Sequence, residues 1–223
     1  MKNFLVTLLI LCPILFIYGQ KNDPNVRSGQ IYRYNPILSS NINKYLGGGE
    51  TIKGSRFVFK GFNQKGILFM NGQSYTARGL NIDAIDNDLI SLVGTDSVLV
   101  YEKNKIDSVL IMGRKFKKFE DDLFYEVLFE SNKGDLLRKY NCSIIEGYNN
   151  VMKGVKEDDS YKLKENYYFY KNKDFVKFDS NKKSILRLLH DKEQNVKKYI
   201  KDNNLSFKDK EGLIKVFEYY STI

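Results

Sequence analysis

His190 is the one imidazole of the chain, and Cys12 and Cys142 are its two thiols, so nucleophile–base chemistry has few residues to draw on. A Cys142–His190 pair would place a thiol beside a proton acceptor. The residues around Cys142, however, read as mid-strand, away from the helix N-terminus that lowers a thiol pKa. Cys142 is therefore expected to be a packed strand cysteine. His190 follows Leu188-Leu189 at the end of a helical pattern, where the macrodipole favours a cationic side chain. Asp83, Asp86 and Asp88 are the densest acidic spacing and the weak candidates for calcium. A calcium loop needs a glycine at its sharp turn, and none falls among these acids. Asx turns between strands are the better expectation. Glu120-Asp121-Asp122 and Glu157-Asp158-Asp159 read as loop acids. A carboxylate-dependent hydrolase would need two acids held at a set separation, and no spacing here imposes one. Gly47-Gly48-Gly49 with Lys53-Gly54-Ser55 lacks the adjacent Lys-Ser/Thr pair and spacing of a phosphate loop and reads as a connector.

Tyr167-Tyr168-Phe169-Tyr170, with Lys162, Lys164 and Lys171 around it, is the best ligand-surface candidate. Aromatic rings interleaved with lysines suit stacking on sugars or bases. They also suit a strand packed on one face with hydroxyls reaching water. The residues thus predict no catalytic site, no metal and no cofactor. Asp96-Ser97-Val98 and Asp107-Ser108-Val109 match a short O-glycosylation pattern of exported bacterial proteins, a weak three-residue signal.

The first twenty residues carry a different kind of message. Lys2 is followed by an apolar run from Phe4 to Tyr18, then by Gly19 and the polar stretch Gln20-Lys21-Asn22-Asp23-Pro24. This is the pattern of a secretory signal peptide cleaved near Gly19/Gln20. The run is shorter than the roughly 20 residues a spanning helix needs, and Pro13 interrupts it. Leu11 before Cys12 is too bulky for a lipoprotein site. The expectation is an exported chain, periplasmic or secreted. It would keep Cys142 as its only thiol and so form no internal disulfide.

Charge adds little about partners by itself. The 36 basic and 27 acidic side chains leave +9 overall, which favours anionic lipid, polysaccharide or nucleic acid. The signs are interleaved, as in Arg114, Lys115, Lys117 and Lys118 followed by Glu120, Asp121 and Asp122. A solvated lysine-rich surface accounts for that. Nucleic acid is the least favoured partner.

These residues must be positioned by four segments. Residues 1–20 are the leader and 21–50 an irregular arm with one short strand around Gln30–Tyr34. Residues 51–178 predict an antiparallel β-rich body, with a strand in Lys53–Lys60 and a hairpin about Asn71-Gly72. Short strands follow at Leu80–Ala84, Leu89–Val93, Ser97–Tyr101, Ile106–Met112 and Lys115–Phe119, as in a meander. Leu123–Glu130 and Asp135–Glu146 form a longer hairpin. In the second of these, Leu136, Arg138, Tyr140, Cys142 and Ile144 share one face, and Leu137, Lys139, Asn141, Ser143 and Ile145 the other. A last hairpin joins 161–170 to 174–178. Residues 179–223 predict two to three helices, capped at Ser180 or Asn181 and at Ser206, with a second helix over Lys192–Asp202. Helices of such length are marginal alone and must dock on the body. The fold class is α+β, a curved antiparallel sheet followed by packed helices.

Leu80-Asn81-Ile82-Asp83-Ala84-Ile85-Asp86-Asn87-Asp88, Phe124-Tyr125-Glu126-Val127-Leu128-Phe129-Glu130, Asn181-Lys182-Lys183-Ser184-Ile185-Leu186 and Lys198-Tyr199-Ile200-Lys201 carry a resemblance. So do Asn204-Leu205-Ser206-Phe207-Lys208 and Phe217-Glu218-Tyr219-Tyr220. Together they resemble a family of small exported bacterial proteins without an assigned activity. The resemblance implies export and this architecture, and brings no catalytic residue with it. The expected function is a non-enzymatic envelope or secreted binding or structural accessory with an envelope or extracellular partner. The alternatives are a carrier holding a lipid or other apolar ligand in a sheet cavity, and the carboxylate hydrolase.

Overall fold

The computed structural model describes residues 52–94, 97–150, 155–207 and 209–223. The leader, the 21–50 arm with its Gln30–Tyr34 strand, the Gly47-Gly48-Gly49 turn and Asp96 lie outside them.

β1 (Lys65–Met70) and β2 (Gln73–Arg78) are joined by Asn71-Gly72, whose φ values of 50° and 72° are the two positive angles of a type I′ turn. The chain then leaves this sheet. β3 (Leu80–Asp83), β4 (Asp88–Val93) and β5 (Ser97–Val100) form a separate three-stranded sheet. It returns at β6 (Ser108–Ile111), which pairs with the far side of β1, and continues through β7 (Arg114–Lys118), β8 (Phe124–Phe129) and β9 (Asp135–Ile145). A minor hairpin, β10 (Asn149–Asn150) with β11 (Val155–Lys156), precedes β12 (Ser160–Lys171) and β13 (Asp174–Phe178). The main sheet is antiparallel with eight strands in the order β13-β12-β9-β8-β7-β6-β1-β2. It is a meander with the small sheet inserted between β2 and β6.

The continuous meander expected from strand spacing is corrected at this insertion. Leu80, Asn81, Ile82 and Asp83 are buried without alternation, so β3 is covered on both sides, unlike a strand with one wet face. The strand expected within Lys53–Lys60 is reduced to isolated bridges, Lys53 with Ser160 and Phe57 with Asp83. Asn81 does the work of a ladder there. Its carboxamide accepts from Phe59 N at 3.0 Å and donates to Phe59 O at 2.9 Å and Gly61 O at 2.7 Å.

Three helices follow among the described residues: α1 (Lys182–Leu188), α2 (Glu193–Asp202) and α3 (Lys210–Thr222). Asn181 caps α1 through a 2.9 Å bond from Ser184 N. Asp209, rather than Ser206, caps α3 by accepting from Gly212 N at 3.3 Å. An aspartate suits both the free amides and the positive helix end. Residues His190–Lys192 form a 3₁₀ turn, which delays α2 by one residue from the expected start.

Alternation gives the main sheet two unlike faces. On the inner face the small sheet covers one half, around Leu68, Val109, Ile111, Phe116, Phe124 and Tyr140. The helices cover the other half. There the space between sheet and helices is filled by Leu136, Phe169, Phe178, Ile185, Leu189, Val196, Leu213, Val216 and Phe217. The outer face carries a smaller cluster of Phe119, Tyr125 and Leu137 beneath the β7–β8 connection.

Close packing requires a glycine at position 66. A Cβ on Gly66 would overlap the Leu110 carbonyl oxygen and the Leu80 side chain, where the two sheets meet. Gly66→Ala is expected to destabilise the fold by about 1–3 kcal/mol, an overpacking cost, read from the urea midpoint at unchanged slope.

Candidate functional site

The aromatic run at 167–170 does not act as one patch, because successive residues of a strand point to opposite faces. Tyr167 and Phe169 turn inward, towards the helical core. Tyr168 and Tyr170 turn outward and join Phe119, Tyr125 and Phe175. Tyr168 meets Tyr125 edge-on at 5.4 Å, and Tyr170 lies 4.7 Å from Phe119. The Tyr170 hydroxyl donates to Glu120 at 2.8 Å, and burial with this bond pushes its pKa up to about 12. Lys162 and Lys164 stand on the same outward face of β12, further along the strand and exposed.

Cross-strand register completes this surface with residues the run itself does not contain. Lys177 of β13 lies opposite Tyr168, and Tyr168 lies opposite Leu137 of β9. One step along, Asn166 faces Lys139. Lys164 then faces Asn141, and Lys162 faces Ser143. At roughly 6.7 Å per two residues, these four rows extend over about 20 Å. The strip carries Lys139, Lys162, Lys164 and Lys177, and none of the four has an ion-pair partner among the described residues. Asn166 Nδ2 donates to Asn141 Oδ1 at 2.8 Å, which fixes the two carboxamides side by side. Lys139 Nζ sits 5.8 Å from the Tyr125 ring centre. Burial lowers the Lys139 pKa, helped by the charges of Lys103 and Lys177 and opposed by Asp121. An ammonium held among like charges gains from any anion that approaches it.

The acids of the 83–88 turn are already neutralised. Asp83 takes a bidentate contact from buried Arg56, whose Nε lies 2.9 Å from Oδ1, and Asp86 accepts from the same guanidinium at 3.0 Å. Asp88 pairs with Lys103 at 3.0 Å. Asp83 Oδ1 also accepts from Ile85 N at 3.0 Å, an Asx turn. The three calcium candidates therefore share one turn but spend their carboxylates on two cations. No group of three His, Cys, Asp or Glu among the described residues is arranged to hold a metal ion. Cys142 lies mid-β9 against the small-sheet core, and burial raises its thiol pKa against the pull of Arg56. His190 sits beyond α1, beside the helical core and β13, so the fold sets these two residues against different cores.

A second charged constellation lies on the inner face. Glu126 is 2% exposed, and its carboxylate accepts from Arg114 Nε at 2.9 Å and from an Arg114 terminal nitrogen at 2.7 Å. It also accepts from Arg138 Nε at 2.9 Å, a terminal Arg138 nitrogen at 2.7 Å and the Tyr140 hydroxyl at 2.8 Å. Arg138 continues to Glu165 at 2.9 Å, which also takes the Tyr167 hydroxyl at 2.9 Å. On β8 this network separates Phe124 from Leu128, and on β9 it separates Tyr140 from Leu136. It marks the seam between the small-sheet core and the helical core. Arg114 stacks over Phe59 at 4.6 Å and over Phe116 at 5.2 Å. Every carboxylate and guanidinium in it has partners, so its role is to hold the seam.

No family model, curated protein or solved structure matches the chain.

The strip could be half-read in the sequence. Alternation puts Lys139, Asn141 and Ser143 on one face of their strand. Only the register shows that Lys162, Lys164 and Asn166 lie opposite them, with Lys177 one strand beyond.

Proposed function

We propose that this protein is an exported, non-enzymatic binding accessory that holds an anionic, hydroxyl-rich partner, such as an acidic glycan of the envelope or cell surface, on the outer face of its main sheet. The observation that carries the proposal is the strip itself. Four lysines stand in register over about 20 Å without ion-pair partners among the described residues, interleaved with two carboxamides and a serine and ending at Tyr168 and Tyr125. Lysines neutralise an anionic chain, the exposed Asn141 amide and Ser143 hydroxyl meet its hydroxyl groups, and the aromatic end offers a ring for a sugar face. Export is part of the proposal and rests on the leader pattern in residues 1–20. No helix among the described residues is long and apolar enough to cross a membrane.

Heparin, as a soluble sulfated polysaccharide, is the probe. The protein is expected to bind it with an affinity that falls as salt rises, and to ignore uncharged dextran. Lys162→Ala/Lys164→Ala removes two surface charges worth up to about 1 kcal/mol each, so affinity should drop about five- to thirtyfold in a calorimetric titration. Equal affinity in the double variant, or equal binding of dextran, would count against the proposal.

A further inference from the structure

The outer edge of β13 is a second surface, separate from the strip in what it can recognise. β12 and β13 are joined by Asn172 and Lys173, both at positive φ (53° and 69°), which is a two-residue type I′ hairpin. In such a hairpin the pair flanking the turn, Lys171 with Asp174, is hydrogen-bonded, and bonded and non-bonded pairs then alternate. Val176 and Phe178 thus bond back to β12. Phe175 and Lys177 direct their N–H and C=O groups away from the sheet, and these groups have no partner among the described residues. Beside this edge, between β13 and α1, lies a hollow of about 350 Å³. Val176, Phe178 and Leu188 supply its apolar lining, and Lys177, Arg187 and His190 supply its polar lining. Lys177 and Arg187 have no ion-pair partner among the described residues. Of the nearest acids, Asp174 and Asp179 stand at the two ends of the strand, and Asp191 accepts from the Tyr220 hydroxyl at 3.2 Å.

The geometry points to a strand-addition site for an acidic, extended peptide segment of a partner protein. The peptide adds a ninth strand to the main sheet through Phe175 and Lys177. Side chains on one face of the peptide enter the hollow over Val176 and Leu188, where a carboxylate meets Arg187, and a carboxylate on its other face meets Lys177 on the outer side of the sheet. Open backbone groups supply affinity in this mode, and the pocket beside them supplies selectivity. A lysine on a short edge strand also discourages indiscriminate pairing, and an acidic partner turns that lysine into a contact.

A fluorescently labelled peptide repeating Glu-Glu-Val-Val, which puts glutamate and valine on both faces of an extended strand, and its counterpart with glutamine for glutamate, test this by anisotropy. The protein should bind the acidic peptide at least about tenfold more tightly than the neutral one. Lys177→Pro removes an outward N–H without touching the ladder, as edge positions allow, and should weaken binding at least tenfold. Arg187→Glu, an exposed helix position that leaves the fold intact, should do the same. Lys162→Ala/Lys164→Ala should leave peptide binding unchanged while it weakens heparin binding, so the two surfaces fail independently. Four results would each overturn the assignment: no binding of the acidic peptide, equal binding of the neutral one, wild-type affinity in Arg187→Glu, or a concentration-dependent dimer of the free protein that Lys177→Pro abolishes.

Discussion

Replacing Glu126 with alanine is expected to cost about 3–5 kcal/mol, because it strands buried cations that share one carboxylate. Arg138 is almost wholly buried beside Glu126, and Arg114 is three-quarters covered. Without Glu126, both guanidiniums keep their desolvation cost and lose four of their charge-assisted bonds. That loss is a large share of the 5–15 kcal/mol that holds a typical domain together. Urea unfolding should show it directly, and a double variant that also replaces Arg138 with methionine should recover part of it, since paired groups are not additive. The pH dependence carries the same signature. Burial alone would raise the Glu126 pKa, but the Arg114 hydrogen bond and the charges of Arg138 and Arg114 hold it below the ordinary carboxylate value of 4.5. A carboxyl depressed in the folded state contributes stability that is present above the unfolded value and lost as pH falls through the folded one. Below about pH 4, therefore, the wild-type protein should lose stability with acid more steeply than Glu126→Gln. Parallel acid profiles for the two would contradict the network described here.

The second large effect belongs to the helical core. Phe217 on α3 is 2% exposed and lies 5.5 Å from the Phe169 ring and 5.8 Å from that of Phe178. It joins α3 to both strands of the β12–β13 hairpin. Phe217→Ala should cost about 3–5 kcal/mol by leaving a cavity in this layer. Helices of 7, 10 and 13 residues are marginal without docking, so limited proteolysis after residue 179 should accelerate as well. A cost under about 1 kcal/mol would mean that the helices are not held on the sheet by this ring.

Much of this architecture can be read from local patterns. Asn71-Gly72 announces its turn because two positive φ angles select those residues. Asn181 announces α1 because a carboxamide there satisfies a free amide. The departure of β3–β5 from the main sheet could not be read that way. Short apolar strands with turns between them look alike whether they extend one sheet or start another. The Arg114–Glu126–Arg138 network was equally hidden. Glu126 stands alone in an apolar run, and its partners lie 12 residues away on either side, where only pairing register brings them together. Tyr167 to Tyr170 show the opposite case, a conspicuous run that alternation divides between the helical core and the open face. Asp83, Asp86 and Asp88 were conspicuous too. Arg56, 27 residues before Asp83, answers two of them, and Lys103 the third.

Backbone amide NMR of isotope-labelled protein during a heparin titration is the most direct measurement of the outer face as the working surface. Shift changes should concentrate at residues 139–143 and 162–168 with Lys177, and they should vanish at high salt. Shifts confined to α1–α3 and the small sheet, or a spectrum heparin leaves untouched, would contradict it.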